Sequence, residues 1–194
     1  MLKKLVVAFA FMVLSLHPAQ AEIGEDGLHK EDWFALTFRD IADDIATAAE
    51  QGKRLAIVFE QRGCIYCTKM HEELLSDPEV RDFIREHFMV VQYNMFGDEE
   101  VTDLDGEVLT EKTAARKWGF VFTPTIAFLP EEAPEGKSVS EAAVAVMPGA
   151  FGKWTFLDMF RWVSEKGYEG EEHFQKYHAR TIERLREQGR LDAE

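Results

Sequence analysis

Two cysteines, Cys64 and Cys67, are the residues whose types and spacing most directly indicate chemistry in this sequence, and they are its only cysteines. Four residues separate an apolar run, Leu55 to Phe59, from the pair, and a helical pattern begins at Cys64. In the first turn of a helix, unpaired N–H groups and the helix dipole stabilise a thiolate. Its pKa falls, and it becomes a nucleophile near neutral pH. The pair therefore predicts thiol–disulfide exchange.

Three other interpretations of the cysteine pair stay open at this point. A purely structural disulfide would close so small a ring that it stabilises the fold by only about 2 kcal/mol. Cys64, Cys67 and His71 also form a C-x2-C-x3-H pattern, three soft donors that could bind or deliver copper or zinc. No fourth ligand is spaced to complete a closed zinc site. In a chaperone-like binding module, the cysteines would be incidental.

Residues 1–21 have the pattern of a secretory signal peptide. Two lysines precede an apolar run, Leu5 to Leu16, and an A-x-A cleavage site ends at Ala21. The apolar run is shorter than the roughly 20 residues that cross a bilayer, although an uncleaved anchor is the alternative. We therefore expect a periplasmic mature chain that begins at Glu22 and has no stable membrane insertion. Disulfides persist in that compartment.

The charge of the chain excludes some partners. The 194 residues carry a net charge of −14, and loss of the two signal-peptide lysines would leave −16. Such a chain is not expected to bind nucleic acid or anionic membrane surfaces. The excess of acidic residues favours solubility, and steering toward a basic patch on a partner is the alternative.

Local patterns predict one α/β domain. The predicted strands are the apolar runs 55–59, 88–95, 125–129 and 143–147. The first two are joined by a helical crossover of about 25 residues and should be parallel, whereas the last two should be antiparallel. Thr37 is the predicted N-cap of the first helix, and Thr155 is the predicted start of the helix after the last strand. We expect a lead-in at 22–36, a domain at 37–167 and a C-terminal helical extension at 168–194.

The order of these features resembles the thioredoxin fold. The residues that carry the resemblance are CIYC at 64–67, a Thr-Pro pair entering a β-hairpin, and a glycine before the next helix. The resemblance covers about residues 37–167 and implies three α/β/α layers with a central mixed sheet. The acidic insert at 101–106 and the Phe-Thr-Pro-Thr run at 122–125 are similar to periplasmic thioredoxin-like proteins of sulfur-oxidation systems (SoxW-type).

The resemblance implies roles for five residues. Cys64 would be the exposed, attacking sulfur, and Cys67, more buried, would resolve the mixed disulfide. Pro124 would be a cis-proline that faces the disulfide and exposes the Thr123 backbone to an incoming peptide. Gly149 would lie beside the site, where a side chain would obstruct the partner.

Some residues depart from the thioredoxin pattern. Gly63 replaces the tryptophan before the first cysteine, and Val58 replaces the buried aspartate six residues before it. Glu60 lies two residues after Val58, on the same face of the strand, and could replace that aspartate as proton acceptor. The alternative is that Glu60 is a solvent-facing carboxylate at the strand end. Tyr66 is similar to the aromatic residue of glutaredoxin-type sites, or it contacts partners.

The resemblance and the residues together predict an exported thiol–disulfide oxidoreductase. We expect it to reduce disulfides of periplasmic proteins with electrons from a membrane thiol donor. Sulfur oxidation and cytochrome maturation are the candidate processes. We expect no resident cofactor or metal, and a monomer.

Overall fold

A computed structural model describes residues 22–191 of the chain. The predicted signal peptide, residues 1–21, lies outside the described residues. Within 22–191, no helix has both the length and the apolar character needed to cross a membrane.

The described chain alternates short strands and helices. The strands are β1 Glu22–Ile23, β2 His29–Lys30, β3 Arg54–Glu60, β4 Phe88–Asn94, β5 Glu100–Thr102, β6 Val108–Thr110, β7 Thr125–Phe128 and β8 Ala145–Pro148. The helices are α1 Ile41–Glu50, α2 Ile65–Lys69, α3 Pro78–His87, α4 Glu111–Lys117, α5 Val139–Ala142, α6 Lys153–Ser164 and α7 Phe174–Glu187. A π-helical segment, Met70–Leu75, continues α2 directly.

The central sheet has the strand order β4-β3-β7-β8. Strand β3 runs parallel to β4 and antiparallel to β7, and β7 and β8 are antiparallel. All seven residues of β3 are buried, because apolar layers cover both faces of the sheet. Ile57 and Phe59 face one layer, and Val58 faces the other, on which Met70 of the cysteine-bearing helix packs. The predicted mixed α/β sheet is confirmed.

The first helix begins later than its predicted cap. Asp40, not Thr37, is the N-cap of α1, and its carboxylate accepts from the backbone N–H groups of Ala42 and Asp43. Arg39 has a φ of +58°, which keeps the preceding residues out of the helix. The Thr37 hydroxyl instead donates to Asp44 Oδ2 at 3.0 Å.

The prediction that Thr155 opens the helix after the last strand was also wrong, because α6 begins at Lys153. Thr155 and Asp158 hold the C-terminal helix instead. His178 of α7 lies between them, with Nδ1 2.7 Å from Asp158 Oδ2 and Nε2 3.1 Å from Thr155 Oγ1. The C-terminal extension therefore packs on α6 through a buried carboxylate.

The N-terminal lead-in is more ordered than its composition suggested. Strands β1 and β2 form a hairpin, and Leu28 and His29 are buried against the domain. Beyond the hairpin, Trp33 and Phe34 pack against the same apolar layer as the cysteine-bearing helix. The lead-in therefore covers one side of that helix.

Asp44→Asn is expected to stabilise the protein by about 1–3 kcal/mol at pH 8 and by much less at pH 4. Burial raises the pKa of Asp44 to about 6, above its ordinary 3.8. Burial of the ionised carboxylate therefore lowers the free energy of unfolding as pH rises between these two values. The whole decrease is present above pH 6. Asparagine keeps an oxygen that accepts from Thr37. Urea unfolding at both pH values checks this, and an equal gain at both would contradict it.

Candidate active site

The two cysteines form a disulfide at the start of α2. Cys64 is the N-cap of the helix, and its Sγ accepts from the backbone N–H of Cys67 at 3.0 Å. The disulfide joins these residues, whose Cα atoms are 5.2 Å apart. Cys64 is 6% exposed and Cys67 is fully buried, so the first sulfur is the more accessible one, although only its edge reaches the surface. A sulfur at the N-cap faces unpaired N–H groups that would stabilise its thiolate.

Thr123 contacts the disulfide, and two other predicted site residues, Pro124 and Gly149, are joined to Thr123 through the backbone. The Thr123 hydroxyl donates to Cys64 Sγ at 3.3 Å, and the Thr123–Pro124 peptide bond is cis. The N–H of Gly149 donates to the carbonyl of Pro124 at 2.6 Å. Gly149 has a φ of +95°, a conformation that side-chain-bearing residues rarely adopt. The loop before β7 and the end of β8 therefore form one wall beside the disulfide.

Apolar side chains near the disulfide project into solvent. Ile65 and Tyr66, the two residues between the cysteines, are 80% and 62% exposed. Phe122, next to Thr123, is 66% exposed. These side chains are available for contact with another molecule at the rim of the disulfide.

Glu60, at the end of β3, is fully buried, so the interpretation of a solvent-facing carboxylate was wrong. Its Oε1 accepts from Gln92 Nε2 at 2.8 Å and lies 2.9 Å from His71 Nε2. Its Oε2 is buried with no hydrogen-bond partner. A buried carboxylate oxygen without a partner is rare, and it leaves this oxygen free to accept a proton.

His71 lies one turn after Cys67 and joins two carboxylates. Its Nδ1 is 2.8 Å from Glu31 Oε1, and its Nε2 faces Glu60. Burial opposes charge on the ring, but the hydrogen bonds to Glu31 and Glu60 raise the pKa of His71 to about 9. The spacing from the cysteines indicated His71, whereas no sequence signal indicated Glu31 as its partner or Gln92 as a partner of Glu60.

The arrangement around His71 fits a metal ion poorly. Donor atoms of His29, Glu60 and His71 lie within 4.8 Å of one another. The two imidazole rings, however, are nearly parallel, with an interplanar angle of 16° and centroids 4.9 Å apart. Ligand lone pairs lie in the ring planes, so two stacked rings do not direct them at one point. Both ring nitrogens of His71 also already face carboxylates.

A comparison with protein families matches residues 41–153 to the thioredoxin-like domain. The chain belongs to the thioredoxin-like domain family. With its Cys64–Cys67 pair, it is a thiol–disulfide oxidoreductase, as the sequence predicted. A search of curated proteins finds no match.

Solved structures resemble this thioredoxin-like protein in fold. A thioredoxin-fold protein from Helicobacter pylori is 20% identical, with a TM-score of 0.56 over 84% of this chain and 95% of its own. A thioredoxin from Thermus thermophilus is 26% identical, with a TM-score of 0.51 over 66% of this chain and 86% of its own. The predicted thioredoxin fold is therefore confirmed.

Proposed function

We propose that this protein is an exported oxidoreductase that reduces disulfides of periplasmic partner proteins through a mixed disulfide. The observation that carries the proposal is the Cys64–Cys67 pair at the start of α2, with Cys64 at the N-cap and 6% exposed and Cys67 fully buried. Such an asymmetric pair suits attack by the first sulfur and resolution by the second.

The reaction would proceed in two exchanges. The Cys64 thiolate attacks one sulfur of the partner disulfide, and the partner's other sulfur leaves as a thiolate. Cys67 then loses its proton and attacks Cys64 Sγ, which releases the second partner sulfur and forms the Cys64–Cys67 disulfide. Two electrons pass from the dithiol to the partner. The proton of Cys67 passes to Glu60, and the two partner thiolates take up protons from Glu60 and from the water that received the Cys64 proton. A membrane protein with a dithiol would return two electrons to the pair.

The wall beside Cys64 supplies the partner-binding surface in this proposal. The backbone of Thr123 would pair with an extended segment of the partner, as in β-strand addition. Pro124 and Gly149 would keep that segment's approach open because neither presents a bulky polar side chain. Tyr66, exposed between the cysteines, would contact apolar side chains of the partner.

Glu60 is the proposed proton acceptor for Cys67. Its Oε1 is occupied by Gln92 and His71, so the unpartnered Oε2 is the oxygen that would receive the proton. Glu60 and Cys67 are both fully buried, on the strand and the helix that meet at the site. Shielding from water strengthens the effect of a single base on a buried thiol.

The compartment, direction and biological process are parts of the same proposal. The predicted signal peptide supports export to the periplasm, and the acidic, SoxW-type insert supports a link with sulfur oxidation; cytochrome maturation is the alternative process. A reducing role in an oxidising compartment requires the membrane donor. We propose that the mature protein acts as a monomer without stable membrane insertion.

A redox-buffer titration of the mature protein tests the proposal. We expect a reversible two-electron transition close to the potential of thioredoxin, about −270 mV. A potential near that of DsbA, about −120 mV, would contradict the reducing direction and make the protein a disulfide donor. Absence of a two-thiol transition, with stoichiometric copper or zinc in the purified protein, would instead support a metal module of Cys64, Cys67 and His71.

A further inference from the structure

A buried imidazole joins the cysteine-bearing helix to the N-terminal segment. The side chain of His71 has no exposed surface. Its Nδ1 is 2.8 Å from Glu31 Oε1, and its Nε2 is 2.9 Å from Glu60 Oε1. Glu31 comes from the segment after β2, and Glu60 ends the central strand. Three elements that are distant in sequence therefore meet at one ring.

The hydrogen-bond geometry defines the charge of this ring. A neutral imidazole carries one N–H and could donate to only one carboxylate. Both nitrogens of His71 face carboxyl oxygens at short distance, so with Glu31 and Glu60 ionised the ring must be an imidazolium to donate to both. The hydrogen bonds to Glu31 and Glu60 raise the pKa of His71 to about 9 against the opposing effect of burial. His29 stacks on the ring, and burial, together with the charge of His71, lowers its own pKa, so His29 is neutral at pH 7.

The backbone places this cation one helical turn after the resolving cysteine. His71 follows Cys67 by four residues, about one turn, where α2 changes into the π-helical segment. That segment turns Met70 and His71 inward together. Single π-helical turns occur frequently at functional sites in helices.

The N-terminal segment contacts the chain on both sides of the Cys64–Cys67 pair. Beyond the Glu31 contact with His71, its hairpin turn contacts the loop before the first cysteine. Arg62 donates to the backbone carbonyls of Asp26 and Glu25 at 3.3 and 3.1 Å. The segment is therefore built into the surroundings of the disulfide.

We propose that His71 is a positioning residue of the dithiol. Held as an imidazolium between Glu60 and Glu31, it stabilises the thiolate that forms when Cys67 loses its proton, and the N-terminal segment supplies Glu31 to hold it there. The inference rests on the proposed function, because it assigns a role in the resolution step. The proton still passes from Cys67 to Glu60, and His71 keeps its own two protons.

His71→Gln is the first test. Glutamine removes the charge and retains a donor. An opposite charge within about 4–6 Å lowers a thiol pKa by about 1–3 units. We expect the apparent pKa of the reduced pair, followed by thiolate absorbance near 240 nm, to rise by about one unit. At a pH above the thiol pKa of both proteins, the equilibrium with glutathione should shift about tenfold toward the protein disulfide, about 30 mV for a two-electron couple.

Glu31→Gln tests the N-terminal contact without changing the cysteine helix. With one carboxylate gone, His71 should lose its proton at a lower pH. The glutathione equilibrium should therefore shift in the same direction as in His71→Gln at pH 8, but stay close to that of the unchanged protein at pH 6. Asp26→Asn is the matched control: it alters a carboxylate of the same hairpin that pairs with Lys30, and should leave the equilibrium unchanged at both pH values.

The outcomes separate this inference from the proposed function. If the unchanged protein shows no reversible two-thiol transition, the proposed function fails before any variant is compared. If it does, an unchanged thiol pKa in folded His71→Gln overturns the inference. Should His71→Gln not fold, Glu31→Gln decides: an effect equal at pH 6 and pH 8, or none at either, overturns it.

Discussion

Cys64→Ser is expected to abolish catalytic reduction of a protein disulfide, with a loss of more than about 1,000-fold. The N-cap cysteine is the more accessible member of the pair, and the other thiol in the chain, Cys67, is fully buried. Cys67→Ser should stop the reaction one step later, because the mixed disulfide forms and nothing resolves it. Insulin reduction measures the loss, and mass spectrometry of an acid-quenched reaction detects the trapped mixed disulfide in Cys67→Ser only.

A matched control separates thiol chemistry from disturbance of the turn. Thr68→Ala changes the same helical turn, where the Thr68 hydroxyl donates to the carbonyl of Cys64 at 3.3 Å. It should keep most of the activity. Either cysteine variant also loses a disulfide that closes a very small ring, so the expected loss of stability is only about 2 kcal/mol. Mixed disulfides that form through Cys67 in the Cys64→Ser protein would reverse the assigned roles.

The parts of the fold that were predictable from sequence depend on local patterns. The continuous apolar run at 55–59 indicated a strand covered on both faces, and β3 is such a strand. An Asp-Pro pair is typical of an N-cap followed by the first helical turn, and Asp77 and Pro78 hold these positions in α3. An Asp-Gly pair is typical of a tight hairpin turn, and Asp105-Gly106 lies between β5 and β6. In each case the signal and the structure that it determines lie within a few residues of one another.

The elements that sequence analysis placed wrongly depend on competition between nearby groups. Thr37 and Asp40 are both capping residues, and the positive φ of Arg39 decided between them. The short helix α5 was not predicted at all. One contact that supports it is a buried side chain distant in sequence: Asp103 Oδ1 accepts from the backbone N–H of Val139 at 2.9 Å.

Sequence analysis is limited in the same way at the site, because the hydrogen-bond network near the disulfide joins residues that are distant in sequence. Period-two alternation placed Glu60 on the correct face of β3, because that rule is local. The Glu31–His71 contact spans 40 residues and the Glu60–Gln92 contact spans 32. No periodicity relates residues at these separations, and an acidic lead-in gives no sign that one of its carboxylates is buried. Such contacts follow only from the assembled fold.

Glu60→Gln is expected to slow resolution of the mixed disulfide by about 100-fold or more at pH 7, and to leave the first attack by Cys64 nearly unchanged. Glutamine keeps one oxygen, which can still accept from Gln92 and His71. Its NH2 group takes the place of the free Oε2 and accepts no proton. Cys67 would then have to lose its proton without a buried base. Single-turnover measurements of both steps between pH 5 and 9 check this.

The control for Glu60→Gln is a second buried carboxylate that contacts an imidazole, although Arg161 also lies 3.6 Å from it. Asp158 is fully buried, has one oxygen on an imidazole nitrogen of His178, and has its other oxygen without a hydrogen-bond partner. Asp158→Asn should therefore reproduce the structural consequences of neutralising a buried carboxylate, namely lower stability, with an unchanged rate of resolution. An unchanged pH profile for resolution in Glu60→Gln, or the same slowing in Asp158→Asn, would show that Glu60 does not accept the proton of Cys67. If resolution slows in Glu60→Gln and not in Asp158→Asn, the unpartnered Oε2 of Glu60 is the group that accepts the proton of Cys67.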